Sequence, residues 1–253
     1  MKRLAFTYRT HIDFEVPVTE HYFTLRCLPK DTPCQRVLRR ELQLEPELRW
    51  SLQEDGFGNL LQTGCCREGH IRFGYVVSGE AEVDRSVPDR SPCNPAFLYP
   101  SPLTVPGPAL LSLHEKAKGS GPEELMRLVH ERIRYTPGST GVNTTAEQAL
   151  AQGRGVCQDE AHILAALLRL EGFPARYVSG LFVGEGATHA WTEVWQDGCW
   201  RGLDPTRCRT VGEEYLTLST GRDYADCPVE RGVFRGNTAQ TQTVFMQVTE
   251  LPL

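Results

Sequence analysis

Thr188-His189-Ala190-Trp191-Thr192-Glu193-Val194-Trp195-Gln196-Asp197-Gly198-Cys199-Trp200-Arg201-Gly202-Leu203-Asp204 reads as two β-strands joined by Asp-Gly, a strong two-residue hairpin signal. Alternation puts His189, Trp191, Glu193 and Trp195 on one face of the first strand. Counting back from the turn pairs Gln196 with Cys199 and Trp195 with Trp200, and sets Asp204 opposite Trp191. His189 and Asp204 are then diagonal neighbours on one side of the ribbon, within side-chain reach. An imidazole base and its orienting carboxylate need that relation. A β-bulge would break the register. Taken singly, His189 reads as a structural histidine and Asp204-Pro205 as a turn.

Upstream, Gly153-Arg154-Gly155-Val156-Cys157 opens a helix predicted from about Cys157 to Glu171 and ended by Gly172 and Pro174. Ala161, Leu164, Ala165 and Leu168 line its apolar face. Unpaired N–H groups and the helix dipole favour a thiolate at Cys157, the nucleophilic form. The plainer alternative is a small apolar filler between helix and sheet. Cys157, His189 and Asp204 together fit nucleophile, base and orienter in that chain order.

The surrounding pattern is α+β. Capping-box pairs Ser120/Glu123 and Thr145/Gln148 start two earlier helices, and strands are predicted over 175–183, 188–195, 200–204 and 241–249. Residues 1–83 alternate with period two (Leu4, Phe6, Tyr8; Phe23, Leu25, Cys27; Ile71, Phe73, Tyr75, Val77). That period implies six or seven antiparallel strands in a β-sandwich. Residues 84–108 hold seven of the 17 prolines and read as an extended surface connector. The catalytic unit is then 109–253.

Composition narrows the functions. At 253 residues, 40% hydrophobic, 23% charged and net charge −5, the chain is an ordinary globular protein with no polyanion-binding bias, so nucleic acid is excluded as a partner. No apolar stretch approaches the ~20 residues of a membrane helix. Met1–Arg9 has no apolar h-region, which predicts a cytoplasmic protein with reduced thiols. The nine cysteines include no C-x-x-C pair, and His11, His21 and His70 have no clustered carboxylates, so neither metal nor cofactor is expected. Cys65-Cys66 reads as alternating packing, Asp159 as a first-turn acid, and His162 as a helix-surface or capping residue.

Four segments in order resemble the transglutaminase-like superfamily: Gly-Arg-Gly-Val-Cys-Gln-Asp-Glu-Ala-His (153–162), Gly-Phe-Pro-Ala-Arg-Tyr-Val-Ser-Gly (172–180), Thr-His-Ala-Trp-Thr-Glu-Val-Trp (188–195) and Leu-Asp-Pro-Thr (203–206). Residues 221–236, with 26–37 and 55–59, are similar to bacterial transglutaminase-like cysteine proteases that carry an N-terminal β-sandwich domain. Glu160 departs from the aromatic residue often found there. The resemblance implies a papain-like core with Cys157 as nucleophile, His189 as base and Asp204 as orienting acid.

These residues imply a thiol-dependent enzyme that processes amide bonds through a thioester, a peptidase or amidase before a transamidase. Nothing in the sequence marks an amine-acceptor site or calcium-binding loops. The substrate is a peptide, protein or small amide, and oligomeric state is not indicated. The Cys157 N–H is the first oxyanion donor to consider. Gln152 is a second candidate, against the preferred reading of a solvated helix end. Trp191 either walls the cleft or, as preferred, packs the core. The alternative from another class is a non-catalytic interaction module that keeps the fold.

Overall fold

The structure, a computed structural model, describes residues 1–252. Its first part has five strands: β1 (Lys2–Leu25), β2 (Gln35–Glu45), β3 (Trp50–Glu54), β4 (Leu60–Cys66) and β5 (His70–Val83). The sequence predicts six or seven, and the difference lies in β1, which merges two alternating runs into 24 residues. Even-numbered residues from Leu4 to Phe14 are buried, whereas past Val18 the buried set is His21, Phe23 and Leu25. That change of phase requires irregularities in the ladder, and the register shifts between Asp13 and Val18 and between Thr19 and Tyr22. Pro17, with no N–H to donate, falls in the first, and Glu20 at φ 49° in the second. The first half of β1 pairs with β5 and the second with β4, so the sheet curls around Phe6, Phe23, Phe73 and Tyr75.

The second part begins with helices α1 (Pro108–Ala117), α2 (Pro122–Arg132), α3 (Ala146–Gln152) and α4 (Cys157–Leu170). Helix α1, with Pro108 in its first turn and Leu110 and Leu113 buried, is not anticipated by the sequence reading. Helix α2 starts one residue later than predicted: Gly121 is the cap, and Glu124 accepts its N–H at 3.0 Å. Two-residue strands β6 (Arg134–Tyr135) and β7 (Arg154–Gly155) pair beside α3. Helix α4 is enclosed nearly all round, and Ala161 and Ile163–Leu168 are all essentially inaccessible. A helix apolar on every side has to sit in the middle.

After α4 come β8 (Ala175–Phe182), β9 (Gly184–Gly186), β10 (His189–Gln196), β11 (Cys199–Asp204), β12 (Arg209–Thr210) and β13 (Tyr215–Gly221). All but β9 form an antiparallel sheet in the order β12-β11-β10-β8-β13, packed on α4. The last strands, β14 (Glu230–Arg235) and β15 (Gln240–Leu251), return to the beginning of the chain. β15 pairs with the first half of β1 (Phe6 with Val248) and β14 with the second (Leu25 with Glu230). Sequence alone groups them with the catalytic unit. The architecture is an N-terminal antiparallel β-sandwich-like half-barrel followed by a papain-like α+β core.

Two side-chain amides join the parts at the edge of β13. Gln35 brackets the Thr217 backbone at 2.7 and 2.9 Å, and Asn59 brackets Thr220 at 2.8 and 2.7 Å. The Pro-rich stretch is tied down rather than merely draped. Buried Arg169 donates to Phe97 O (3.1 Å), Ser101 Oγ (3.4 Å) and Thr104 Oγ1 (2.7 Å), and Phe97 and Leu103 are buried. Prolines lack N–H groups but keep their neighbours' carbonyls and hydroxyls free to accept, and a guanidinium supplies the donors.

Gly180 marks the closest packing under the core sheet. A Cβ there would lie 2.3 Å from Trp191 Cη2 and 2.4 Å from Leu216 O, and backbone cannot retreat. Gly180→Ala is expected to lower unfolding free energy by about 2–3 kcal/mol through overpacking, measured by urea denaturation. An unchanged midpoint would contradict this packing.

Candidate active site

The hairpin register is the one the turn predicts. Gln196 faces Cys199, Trp195 faces Trp200, and the pairing continues unbroken to Thr192 and Leu203. Asp197 and Gly198 both have positive φ, 54° and 76°, as a primed turn requires. His189 Nε2 and Asp204 Oδ2 consequently meet at 2.7 Å.

Asp204 is completely buried and fully supplied with donors. Besides His189 it accepts from Tyr215 Oη (2.8 Å), Thr206 N (3.0 Å) and Arg207 N (3.2 Å). Burial pushes its carboxyl upward, but the His189 ring and these donors outweigh that and hold it below its ordinary value. An ionised carboxylate only accepts, so the proton in that contact is on His189 Nε2, and Nδ1 is the ring nitrogen that Asp204 does not engage. Arg207 Nη1 lies 3.2 Å from the same Nε2, which has no free pair to accept it. The guanidinium is therefore a neighbouring charge, held over the Phe182 ring at 3.9 Å.

Cys157 is the first residue of α4. Asp159 forms the cap expected of it, accepting Val156 N at 2.8 Å and Thr140 Oγ1 at 2.6 Å. The Cys157 side chain is half-buried against Ala161, Tyr177, Ala190 and Cys227. The helix start does not yield the lowered thiol that the sequence suggests. Burial pushes it up to about 11; the Ala190 N–H opposes this, and the negative charges of Asp204 and Glu160 add to it. Desolvation by the surrounding core outweighs the helix terminus, so the resting group is a neutral thiol.

Cys157 and His189 line the same two cavities, of about 580 and 360 Å³, which also share Tyr135, Ala187 and Thr188. The pair stands on the common wall, with space on either side. Another cavity of about 580 Å³ lies between the connector and the first sheet. Its Arg176 is already paired with Asp89 and Glu193.

The other sequence candidates separate from this pair. Gln152 is exposed at the end of α3, beside a different depression lined by Ser112 and Lys116. Trp191 is fully buried, edge-on to Tyr215 at 5.4 Å and 6.3 Å from the His189 ring, so it packs the core beneath the base. His162 is not a surface residue. It is fully buried against Tyr177, and its Nε2 accepts Tyr224 N at 3.0 Å, pinning the 221–227 segment to α4. His21 and His70 bond to each other within the first sheet, at 3.1 Å. Sequence reasoning missed Tyr215 and gave no role to Glu160, although Glu160 stood out as an unusual residue.

Glu160 is buried and hydrogen-bonded by Thr206 Oγ1, and burial pushes its carboxyl from 4.5 to about 7. The folded protein therefore holds this proton more tightly than the unfolded chain. Its contribution to stability is complete below about pH 4.5 and is lost as pH rises through 7. Glu160→Gln should remove roughly 2–3 kcal/mol of that pH dependence, read from urea unfolding at acid and alkaline pH. The same substitution should shift Cys157 alkylation by iodoacetamide to lower pH; an unmoved profile would dissociate Glu160 from the thiol.

Comparison with known proteins agrees with this architecture. Residues 112–205 match the transglutaminase-like superfamily, and residues 4–82 match the bacterial transglutaminase-like N-terminal region. An uncharacterized protein of Mycobacterium tuberculosis is 30% identical over 99% of this chain and 93% of its own length. A "putative cysteine protease" from Cytophaga hutchinsonii has the same fold, with TM-score 0.79 and 22% identity over 100% of this chain and 92% of that one. The periplasmic domain of TgpA from Pseudomonas aeruginosa is 19% identical over 79% of this chain and 87% of its own, with TM-score 0.38. The compartment named in that match belongs to TgpA; the cytoplasmic placement expected from Met1–Arg9 is withdrawn, and no compartment is assigned to this chain. Among the described residues no helix is long and apolar enough to cross a membrane. The chain belongs to the transglutaminase-like superfamily, with a bacterial transglutaminase-like N-terminal region.

Proposed function

We propose that the protein hydrolyses amide bonds in peptides or related amides through a Cys157–His189–Asp204 triad and a thioester intermediate. The observation that carries this reading is the His189–Asp204 contact at 2.7 Å, which engages Nε2 and leaves Nδ1 of a ring that lines the same cavity as Cys157 clear of the carboxylate. Because the resting thiol is neutral, the first step moves its proton to His189 Nδ1 as sulfur attacks the carbonyl carbon. The imidazolium that forms is stabilised by Asp204. Negative charge then develops on the carbonyl oxygen, within reach of the Cys157 N–H, which has no acceptor inside the helix.

Collapse of that adduct breaks the C–N bond, and His189 returns the proton to the departing amine. Water, deprotonated by His189, attacks the thioester, and the C–S bond breaks to release the acid and restore the thiol. Cavities on both sides of Cys157 favour an amide with substituents on its acyl and amine sides, as in a peptide.

Cys157→Ala should abolish turnover of a fluorogenic peptide library without changing the melting temperature. His189→Ala should cost about 10³-fold or more in kcat/KM, and Asp204→Ala about a hundredfold less than that. Wild-type turnover in Cys157→Ala would overturn the assignment. A cysteine that resists every thiol-directed electrophile in the folded protein would favour an interaction module instead.

A further inference from the structure

The larger cavity at Cys157 is not built by the catalytic core alone. Tyr8 of β1, Glu230 and Arg231 of β14, and Gln242 and Val244 of β15 also line it. The returning strands therefore bring a piece of the first sheet to the reactive cysteine. Most of what they bring is neutral. Glu230 is the one carboxylate on this lining.

Glu230 is half-buried, and its surroundings do not neutralise it. Gln242 Nε2 donates to its Oε2 at 3.3 Å, and the Tyr75 hydroxyl lies against it. Tyr8, Tyr224 and Cys27 are its other titratable neighbours, all uncharged because burial pushes each above its ordinary range. Arg231 follows on the strand, is exposed, and forms no ion pair with Glu230 among the described residues. A carboxylate withdrawn from water without a cation is unfavourable. Its own carboxyl is accordingly pushed up to about 7, a displacement that a bound positive group would reverse. Some withdrawn acids of the chain have a cation, Asp89 and Glu193 sharing Arg176 and Asp55 holding Arg26, whereas Glu160 is enclosed and answered by a hydroxyl. Glu230 has the substrate cavity in place of a partner.

We propose that Glu230 is a specificity residue of the cleft, pairing with an ammonium or guanidinium group carried by the amide substrate held at Cys157. The inference rests on the reading of Cys157 as nucleophile. It assigns the substrate class as amides bearing a positive group, supplied either by a basic side chain or by a free α-amine. Tyr8, Tyr224 and Tyr177 provide neutral aromatic walls along which the stem of such a group packs.

A set of chloroacetamides tests this on the intact protein, with the rate of Cys157 alkylation read by mass spectrometry. The set carries butyl, 4-ammoniobutyl and 2-ammonioethyl tails and is used at a pH of about 8.5, where Glu230 is ionised. The wild type should label about tenfold or more faster with an ammonium tail than with butyl, as a partly desolvated ion pair predicts. The long tail winning indicates a basic side chain, and the short tail an α-amine. Glu230→Gln should erase the preference, the ammonium-to-butyl rate ratio falling to about one, with a wild-type melting temperature showing that the variant is folded. Equal rates for all tails in the wild type, or a preference that survives Glu230→Gln, would overturn the proposal and leave the nucleophile standing. If no reagent labels Cys157, both readings fall.

Discussion

A carboxylate with no access to water governs the centre of this molecule. Asp204 is fully enclosed, and an enclosed charge persists only when every lone pair is answered. Four donors from three places do so: the His189 ring on β10, the Tyr215 hydroxyl on β13, and the amides of Thr206 and Arg207 after β11. That demand fixes the imidazole tautomer, the turn at Pro205 and the approach of β13. Satisfying Asp204 and orienting the His189 ring are one requirement. A register slip of one residue on the hairpin would turn Asp204 away and leave both unmet.

The cysteine is set in an environment that discourages its charged form. Core packing and two nearby acids favour protonated sulfur, so in the proposed mechanism activation depends on handing the proton to His189 in the same step as attack. This differs from a helix-terminus thiolate standing ready beforehand. It protects the thiol from indiscriminate electrophiles and oxidants, which react with the anion. Glu160 strengthens the effect, because it lies beside both Asp204 and the thiol and is held by Thr206 of the same turn.

Much of this was legible in the sequence where local rules apply. Asp197-Gly198 specifies a turn type, the turn specifies a register, and the register brings His189 to Asp204 without long-range information. Helix α4 was legible from its glycine-flanked start and its apolar period. Partnership between distant segments was not legible. Alternation over 241–249 announces a strand but says nothing of β1 as its neighbour. The change of phase inside β1 is equally silent, because two half-strands and one bent strand have the same period. Gln35 and Asn59 look like ordinary polar residues until an open sheet edge is found for them to cover. The thiol was misjudged for a related reason: the helix terminus can be read locally, whereas the enclosing core cannot.

The pairing of β1 with β15 has a consequence for biogenesis. Residues 3–14 find their partners at 240–251, some 230 residues further along, so β1 waits for that neighbour while the intervening chain is made. The α4-centred core closes on sequence-local contacts well before then. Throughout that interval the growing polypeptide presents a long, half-paired strand with one apolar face, a template for association with another nascent chain. Arg3, Arg9 and Asp13, none of them buried, are the charges along that strand that disfavour such pairing.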